Sequence, residues 1–230
     1  MTPQDSLSVA KLAVDLVQVL VWPVIVVFIL LYFGKALRQF ASSLGEFSFK
    51  AAGVEATAKR QQIEAAAFLG AAAASRPAGP LGTGQASAED ARDIAGVVAE
   101  KVTPRAVRQL SGTRILWVDD RPDNNSYERQ ALEALGIRFT LSMSTDDALE
   151  KTRVSRYDAI ISDMGRPPDP RAGYTLLDAL RKRGDATRFV IYAGSNAPEH
   201  KAEARSHGAI GSTSRAQELF ELVLSALTAG

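Results

Sequence analysis

From Thr113 onward the chain alternates five times between strand signals and helix signals, and that alternation leaves few architectures open. Strand-like runs cover 113–119, 137–142, 157–163, 188–193 and 209–213, each followed by a helical stretch of roughly ten to fifteen residues. Strands joined by right-handed helical crossovers run parallel and build an open sheet covered on both faces. The fold class is therefore α/β, a five-stranded doubly wound parallel sheet. Gly136 and Gly208 fall where helices should end. Asn196-Ala197-Pro198-Glu199 and Ser214-Arg215-Ala216-Gln217 read as helix starts with reciprocal caps.

Two of the strand runs end in acid. Ile115-Leu116-Trp117-Val118 leads into Asp119-Asp120, and Ala159-Ile160-Ile161-Ser162 leads into Asp163. If the runs are neighbouring parallel strands, three carboxylates meet at the sheet edge where ligands of such folds bind. Close like charges disfavour ionisation, and a hard divalent ion prefers oxygen ligands. Asp119, Asp120 and Asp163 thus form a candidate Mg²⁺ site. Either of the first two acids alone reads equally well as a strand end before a turn, since Arg121-Pro122-Asp123-Asn124-Asn125 has turn composition. The case rests on all three together.

The N-terminus is a different material. Between Leu16 and Phe33, fourteen of eighteen residues are Leu, Val, Ile or Phe, and Gln18 is the one clearly polar side chain. At roughly −0.3 to −0.6 kcal/mol per apolar residue, the sum outweighs Gln18 and Pro23. A transmembrane helix is expected over 16–34, with Pro23 kinking it. A cleaved signal peptide is disfavoured by Asp5 and Asp15 before the run and by the lack of a small-residue cleavage site after it. Lys35, Arg38 and Lys50 follow the span while Lys11 precedes it. The positive-inside rule then places the rest of the chain in the cytoplasm, on a single-pass anchor in the cytoplasmic membrane.

The expected organisation is an N-terminal segment 1–15, the span 16–34, a juxtamembrane helical region 35–75, a linker and helix 76–112, and the α/β domain 113–228. The juxtamembrane region has helix propensity, but its apolar stripe is too weak to promise a coiled coil, and self-association stays open. Arg76-Pro77-Ala78-Gly79-Pro80 breaks any regular pattern. Ser87 to Asp90 reads as a helix N-cap, and Pro104 should end or kink that helix. A composition of 46% hydrophobic and 23% charged residues allows a buried core. A formal net charge of +1, scattered over the chain, gives no argument for nucleic acid. With no cysteine there is no disulfide, no thiolate nucleophile and no Cys-ligated zinc.

At residues 113–228 the arrangement resembles the response-regulator receiver domain, the CheY-like, flavodoxin-like phosphoacceptor module of two-component signalling. The resemblance rests on Asp119-Asp120 ending the first strand and Asp163 ending the third. Pro167 lies four residues later, and Ala172-Gly173 opens the following helix after an apparent insertion. It implies that Asp163 accepts a phosphoryl group from a histidine kinase or a small phosphodonor. Asp120, Asp163 and the Gly165 backbone carbonyl would hold Mg²⁺, and Asp119 would assist through the metal's water shell. No enzymatic turnover is implied beyond self-phosphorylation and dephosphorylation at Asp163.

The chain departs from that pattern in three places. Where the family carries Thr or Ser after the fourth strand, this sequence offers Ala193 or Gly194, with Ser195 reachable only by a local shift. Where it carries Lys after the fifth strand, Arg215 lies nearby, and an Arg fork is not a Lys point charge. The aromatic switch residue of the fifth strand is replaced by the neighbourhood of Ser212 and Thr213, leaving Tyr192 as an alternative. Tyr192 and Trp117 otherwise read as core, Ser214 as a helix cap, His200 and His207 as surface residues, and Arg166 as either a solvated loop charge or an anion clamp.

Three functions compete. The first is a membrane-tethered receiver that controls a contact with an unknown downstream protein, through its fourth helix, fifth strand and fifth helix. Too few residues follow the domain for an output module, so the effect is expected to pass to a partner or back through the anchor. The second is a degenerate receiver that only docks or scaffolds. The third is an Asp-nucleophile phosphohydrolase, which wants a second acid two residues after the nucleophile, where Asp163-Met164-Gly165 has glycine.

Overall fold

The computed structural model describes residues 52–75 and 88–229. The N-terminal segment, the expected span 16–34 and the Pro/Gly-rich linker lie outside the described residues, as does the cap expected at Ser87. Among the described residues no helix is long and apolar enough to cross a membrane. From Val54 onward the chain is one compact unit.

Among the described residues the first helices are α1 (Ala52–Ser75), α2 (Ala88–Lys101) and α3 (Pro104–Leu110). Pro104 does follow the end of the preceding helix, three residues beyond Lys101, and opens the next one. Its missing N–H costs nothing at a first helical position, and Thr103 caps the helix by accepting from the Ala106 N–H at 3.2 Å.

The five expected strands follow, each shorter than expected by one or two residues at its ends: β1 (Arg114–Val118), β2 (Arg138–Ser142), β3 (Ala159–Ser162), β4 (Arg188–Tyr192) and β5 (Gly211–Thr213). All neighbours pair in parallel, in the order β2-β1-β3-β4-β5. Between them run a 3₁₀ turn (Pro122–Asn125) with α4 (Ser126–Glu133), then α5 (Thr145–Val154), α6 (Ala172–Lys182) and α7 (Pro198–Ser206), and α8 (Ala216–Thr228) closes the chain. Winding starts at β1, goes out to β2 and returns past β1 to β3. The carboxyl ends of β1 and β3 therefore flank the switch point, where no crossover covers the edge.

The strands sort their side chains with period two. Ile115, Trp117, Ile161, Val190 and Tyr192 enter one core, while Leu116, Val118, Ile160, Phe189 and Ile191 enter the other. The second core is closed by α6 through Leu176, Leu177 and Leu180, with Ala148 of α5 and Ala204 of α7. The first is closed by α8, whose Leu219, Phe220, Val223 and Leu224 form one buried stripe.

The three leading helices belong to that first core. Ile94 and Val98 of α2, Val102, and Ala106 and Leu110 of α3 are buried in it, together with Ala65, Leu69 and Ala72 of α1. Burying each larger side chain contributes about 1.5–3 kcal/mol. The buried stripe of α1 is mostly alanine, which lets the helix approach closely. Gln62 Nε2 donates to the Val102 carbonyl at 2.6 Å, tying α1 to the turn between α2 and α3.

Gly136 and Gly208 do end helical segments, with φ of +85° and +92°. The reciprocal caps do not form. Ala197 and Arg215 stand at the two N-cap positions and neither supplies a side-chain bond. Hydroxyls two residues upstream act instead: Ser195 Oγ accepts from the Ala197 N–H at 3.3 Å, and Thr213 Oγ1 from the Arg215 N–H at 3.0 Å. Short hydroxyl turns of this kind compete with helix capping.

Candidate functional site: an acidic cup at the switch point

The sheet ladder delivers the acids. The Asp119 N–H donates to the Ser142 carbonyl and the Asp163 N–H to the Val118 carbonyl, both at 2.9 Å, so each acid sits one residue past its strand with its backbone fixed. One carboxylate oxygen from each of Asp119, Asp120 and Asp163 lies within 4.8 Å of the others. The three acids that sequence order separates are thus one cluster.

Their surroundings differ. Asp119 is buried, and its two oxygens accept from the Arg121 N–H at 2.8 Å and from Asn125 Nδ2 at 2.6 Å. Asp120 is half-buried, with Arg121 Nε 3.7 Å from its carboxylate. Asp163 accepts from the Met164 N–H at 2.8 Å. Burial pushes its carboxyl above the usual range, against the pull of that bond, and the charges of Asp119 and Asp120 push the same way. A cation beside Asp163 would support its charge. Three hard oxygen donors at this spacing suit a divalent ion such as Mg²⁺.

The cup opens into a cavity of about 660 Å³ lined by Asp119, Asn125, Asp163, Tyr192, Gly194 and Arg215, among others. Gly194 and Arg215 are therefore brought to the acids, as is the loop residue Ser214. Ser195 is not among its lining residues. It turns to a neighbouring cavity of about 440 Å³, where its Oγ lies 2.7 Å from His200 Nδ1. Ala193 stands one residue past β4 and Ser214 one residue past β5, the places equivalent to Asp163 past β3. β5 itself reads Gly211-Ser212-Thr213, all buried. Thr213 Oγ1 donates to Glu218 Oε2 at 2.6 Å, and Lys201 Nζ lies 3.1 Å from the same oxygen.

Tyr192 is core, as expected: its ring stands edge-on to Trp117 at 6.0 Å, and its hydroxyl donates to buried Glu128 at 2.7 Å. His200 and His207 do not meet. His207 stacks on Tyr174 at 4.2 Å and pairs with Asp178 at 2.7 Å.

Sequence reasoning missed most at Arg166, which is neither a solvated charge nor an anion clamp. It is 3% exposed and folded under the acids. The loop after β3 closes on itself, Arg166 and Asp169 exchanging backbone bonds of 3.0 and 2.8 Å, which turns the guanidinium inward. Asn125 was missed too. Its composition signalled a turn, and nothing in the order of residues shows that its amide reaches back to Asp119.

The glycine opening α6 sets the height of the Asp163 loop. The Gly173 N–H donates to the Met164 carbonyl at 2.8 Å, and a Cβ at this position would lie 2.9 Å from the Asp163 carbonyl oxygen and 3.2 Å from Met164 Cα. Only glycine allows the helix so near the acid.

No curated protein matches the chain. Among solved structures, the Francisella response regulator 1452 receiver domain is similar at 23% identity, over 50% of this chain and 96% of its own, with a TM-score of 0.45. The chemotaxis response regulator CheY4 of Vibrio cholerae is similar at 24% identity, over 50% and 98%, with a TM-score of 0.44. The response regulator TrrA of Thermotoga maritima, solved in complex with Mg²⁺ and BeF, is similar at 22% identity, over 50% and 98%, with a TM-score of 0.43. The family model described as the response regulator receiver domain matches residues 115–224. That stretch of the chain is a response regulator receiver domain.

Proposed function

We propose that the domain is a phosphoacceptor in a two-component signalling system, that Asp163 takes the phosphoryl group, and that residues 16–34 hold the protein at the cytoplasmic membrane with the domain inside. The observation that carries the first part is the acidic cup, in which three carboxylates lie within 4.8 Å and Asp163 borders an open cavity. The tether rests on the apolar run between Leu16 and Phe33.

In this reading Asp119, Asp120, Asp163 and the Gly165 backbone carbonyl would hold Mg²⁺. A bound cation offsets the repulsion between an attacking carboxylate and an anionic phosphoryl group. The chain does the rest. Asp163 attacks phosphorus through a carboxylate oxygen, and the bond to the donor's leaving group breaks with the electron pair on that group. The donor is a histidine kinase's phosphohistidine or a small acyl phosphate. Sheet bonds to Asp119 and Asp163 keep the acids in place, and Asn125 orients Asp119. The product changes charge beside the loop of Ser214 and Arg215, which lines the same cavity. The contact it controls would lie on α7, β5 and α8.

A docking role without phosphorylation is the second reading. It is favoured by Ala193 and Ser214, which stand where the family resemblance calls for a phosphate-binding hydroxyl and a lysine. Incubating the whole chain in detergent with acetyl phosphate separates the two. Incorporation that needs Mg²⁺ and disappears in Asp163→Ala supports the phosphoacceptor. Its absence from the unaltered chain, together with no saturable effect of beryllofluoride and Mg²⁺, leaves only docking. Protease accessibility in sealed vesicles tests the tether: cleavage of the domain from the outer side of intact cells overturns the orientation.

A further inference from the structure

The Arg166 side chain makes five hydrogen bonds and none goes to a carboxylate. Nη1 reaches the Ser162 hydroxyl at 2.7 Å, the Asp163 carbonyl at 2.6 Å and, at 3.5 Å, the Val118 carbonyl. Nη2 reaches the Thr145 hydroxyl at 3.1 Å and the Ala172 carbonyl at 3.0 Å. Its Nε is buried without a partner among the described residues. A guanidinium with 3% exposure and no paired anion is costly to bury unless nearby negative charge balances it. The balance is at hand. Val118 and Ser162 are the last residues of β1 and β3, so the cation lies directly beneath the strand ends that carry Asp119, Asp120 and Asp163, and it is attracted to all three.

We propose that Arg166 is the built-in counter-charge of the acidic cup: it lets three carboxylates share one site before any metal arrives, and it lowers the affinity of that site for Mg²⁺. Three carboxylates at −1 each and one guanidinium at +1 leave −2, the charge a single divalent cation neutralises. Without Arg166 the cup carries −3 and binds the ion more tightly. Arg166 adds a bond to the Asp163 carbonyl that Arg166→Lys can also offer, and the ladder bonds of Asp119 and Asp163 hold their N–H groups without it. The charge has no such substitute: Arg121, the one cation in a salt bridge to these acids among the described residues, has a side chain 76% exposed and weakly coupled. The inference rests on the reading of the cup as a Mg²⁺ site.

The test is the Mg²⁺ dependence of the melting temperature of the whole chain, because an ion that binds the folded form raises it with a measurable half-saturation. Arg166→Met is expected to melt lower without Mg²⁺ and to reach half-saturation at about tenfold less Mg²⁺ than the unaltered chain. Arg166→Lys keeps the charge and is expected to keep the original half-saturation, whatever it loses in stability. If Arg166→Met does not fold, Thr145→Glu sets a carboxylate against Nη2, cancels the cation in place, and should again lower the half-saturating Mg²⁺ relative to Thr145→Gln. A value in Arg166→Met equal to or above the original, or no difference between the two Thr145 variants, overturns the counter-charge. If the unaltered chain shows no saturable effect of Mg²⁺, it is the metal site that falls.

Discussion

At the scale of single residues, the site is governed by groups whose neighbours decide what they do. Gly173 is the plainest case, because an added methyl would press on the backbone of the Asp163 loop rather than on a movable side chain. Gly173→Ala should cost about 1–3 kcal/mol and raise the Mg²⁺ needed for half-saturation. Thermal melting with and without the ion checks both, and an unchanged midpoint counts against this account of the contact. Glu218 offers a second prediction. Burial pushes its carboxyl up, but bonds from Thr213, Lys201 and Asn196 outweigh that and hold it below its usual value. A carboxyl more acidic folded than unfolded stabilises fully above the ordinary carboxylate range, and that stabilisation is lost as pH falls through the lower, folded value. Glu218→Gln should therefore cost about 1–2 kcal/mol near pH 7 and clearly less near pH 3, as read by urea unfolding. The same cost at both pH values contradicts it. The three acids could be read from sequence because each follows a strand run directly, so finding the strands finds the acids. Arg166 could not be. Its charge suggests solvent, and only the closed loop between Arg166 and Asp169 turns it inward.

At the scale of elements, the strands were legible because period-two burial and helical crossovers leave strong marks in sequence. The contribution of α1 was not. Its apolar face is made of Leu69 with Ala58, Ala65 and Ala72, and the alanines look neutral in a sequence yet bury almost completely. Leu69 is the large member of that face, and Leu69→Ala should cost about 2–5 kcal/mol. Faster amide exchange is expected to accompany it along α1 and at the α2–α3 turn that Gln62 holds. A loss confined to α1, with the turn unchanged, argues against the coupling. The helix starts after Asn196 and Ser214 were legible in position, but not in capping, since the competing hydroxyls of Ser195 and Thr213 are local choices the period does not encode.

At the scale of the whole molecule, α1, α2 and α3 share a core with the receiver sheet. A fragment beginning at Gly112 would lose Ile94, Val98, Val102 and Leu110 from that core, while one beginning at Val54 keeps them. The shorter fragment should melt lower, by roughly 2–4 °C for each kcal/mol lost in a domain of this size, and bind more of an apolar dye. Equal melting of the two indicates that the helices merely rest on the sheet. The placement also gives α8 two sets of neighbours, β4 and β5 of the sheet and α2 and α3 of the leading helices. Interiors packed like crystals have little slack. A tilt of α8 has to be taken up by both sets of neighbours, so sheet and leading helices shift together like meshed gear teeth, and whatever rocks the strand side is felt in α2 and α3.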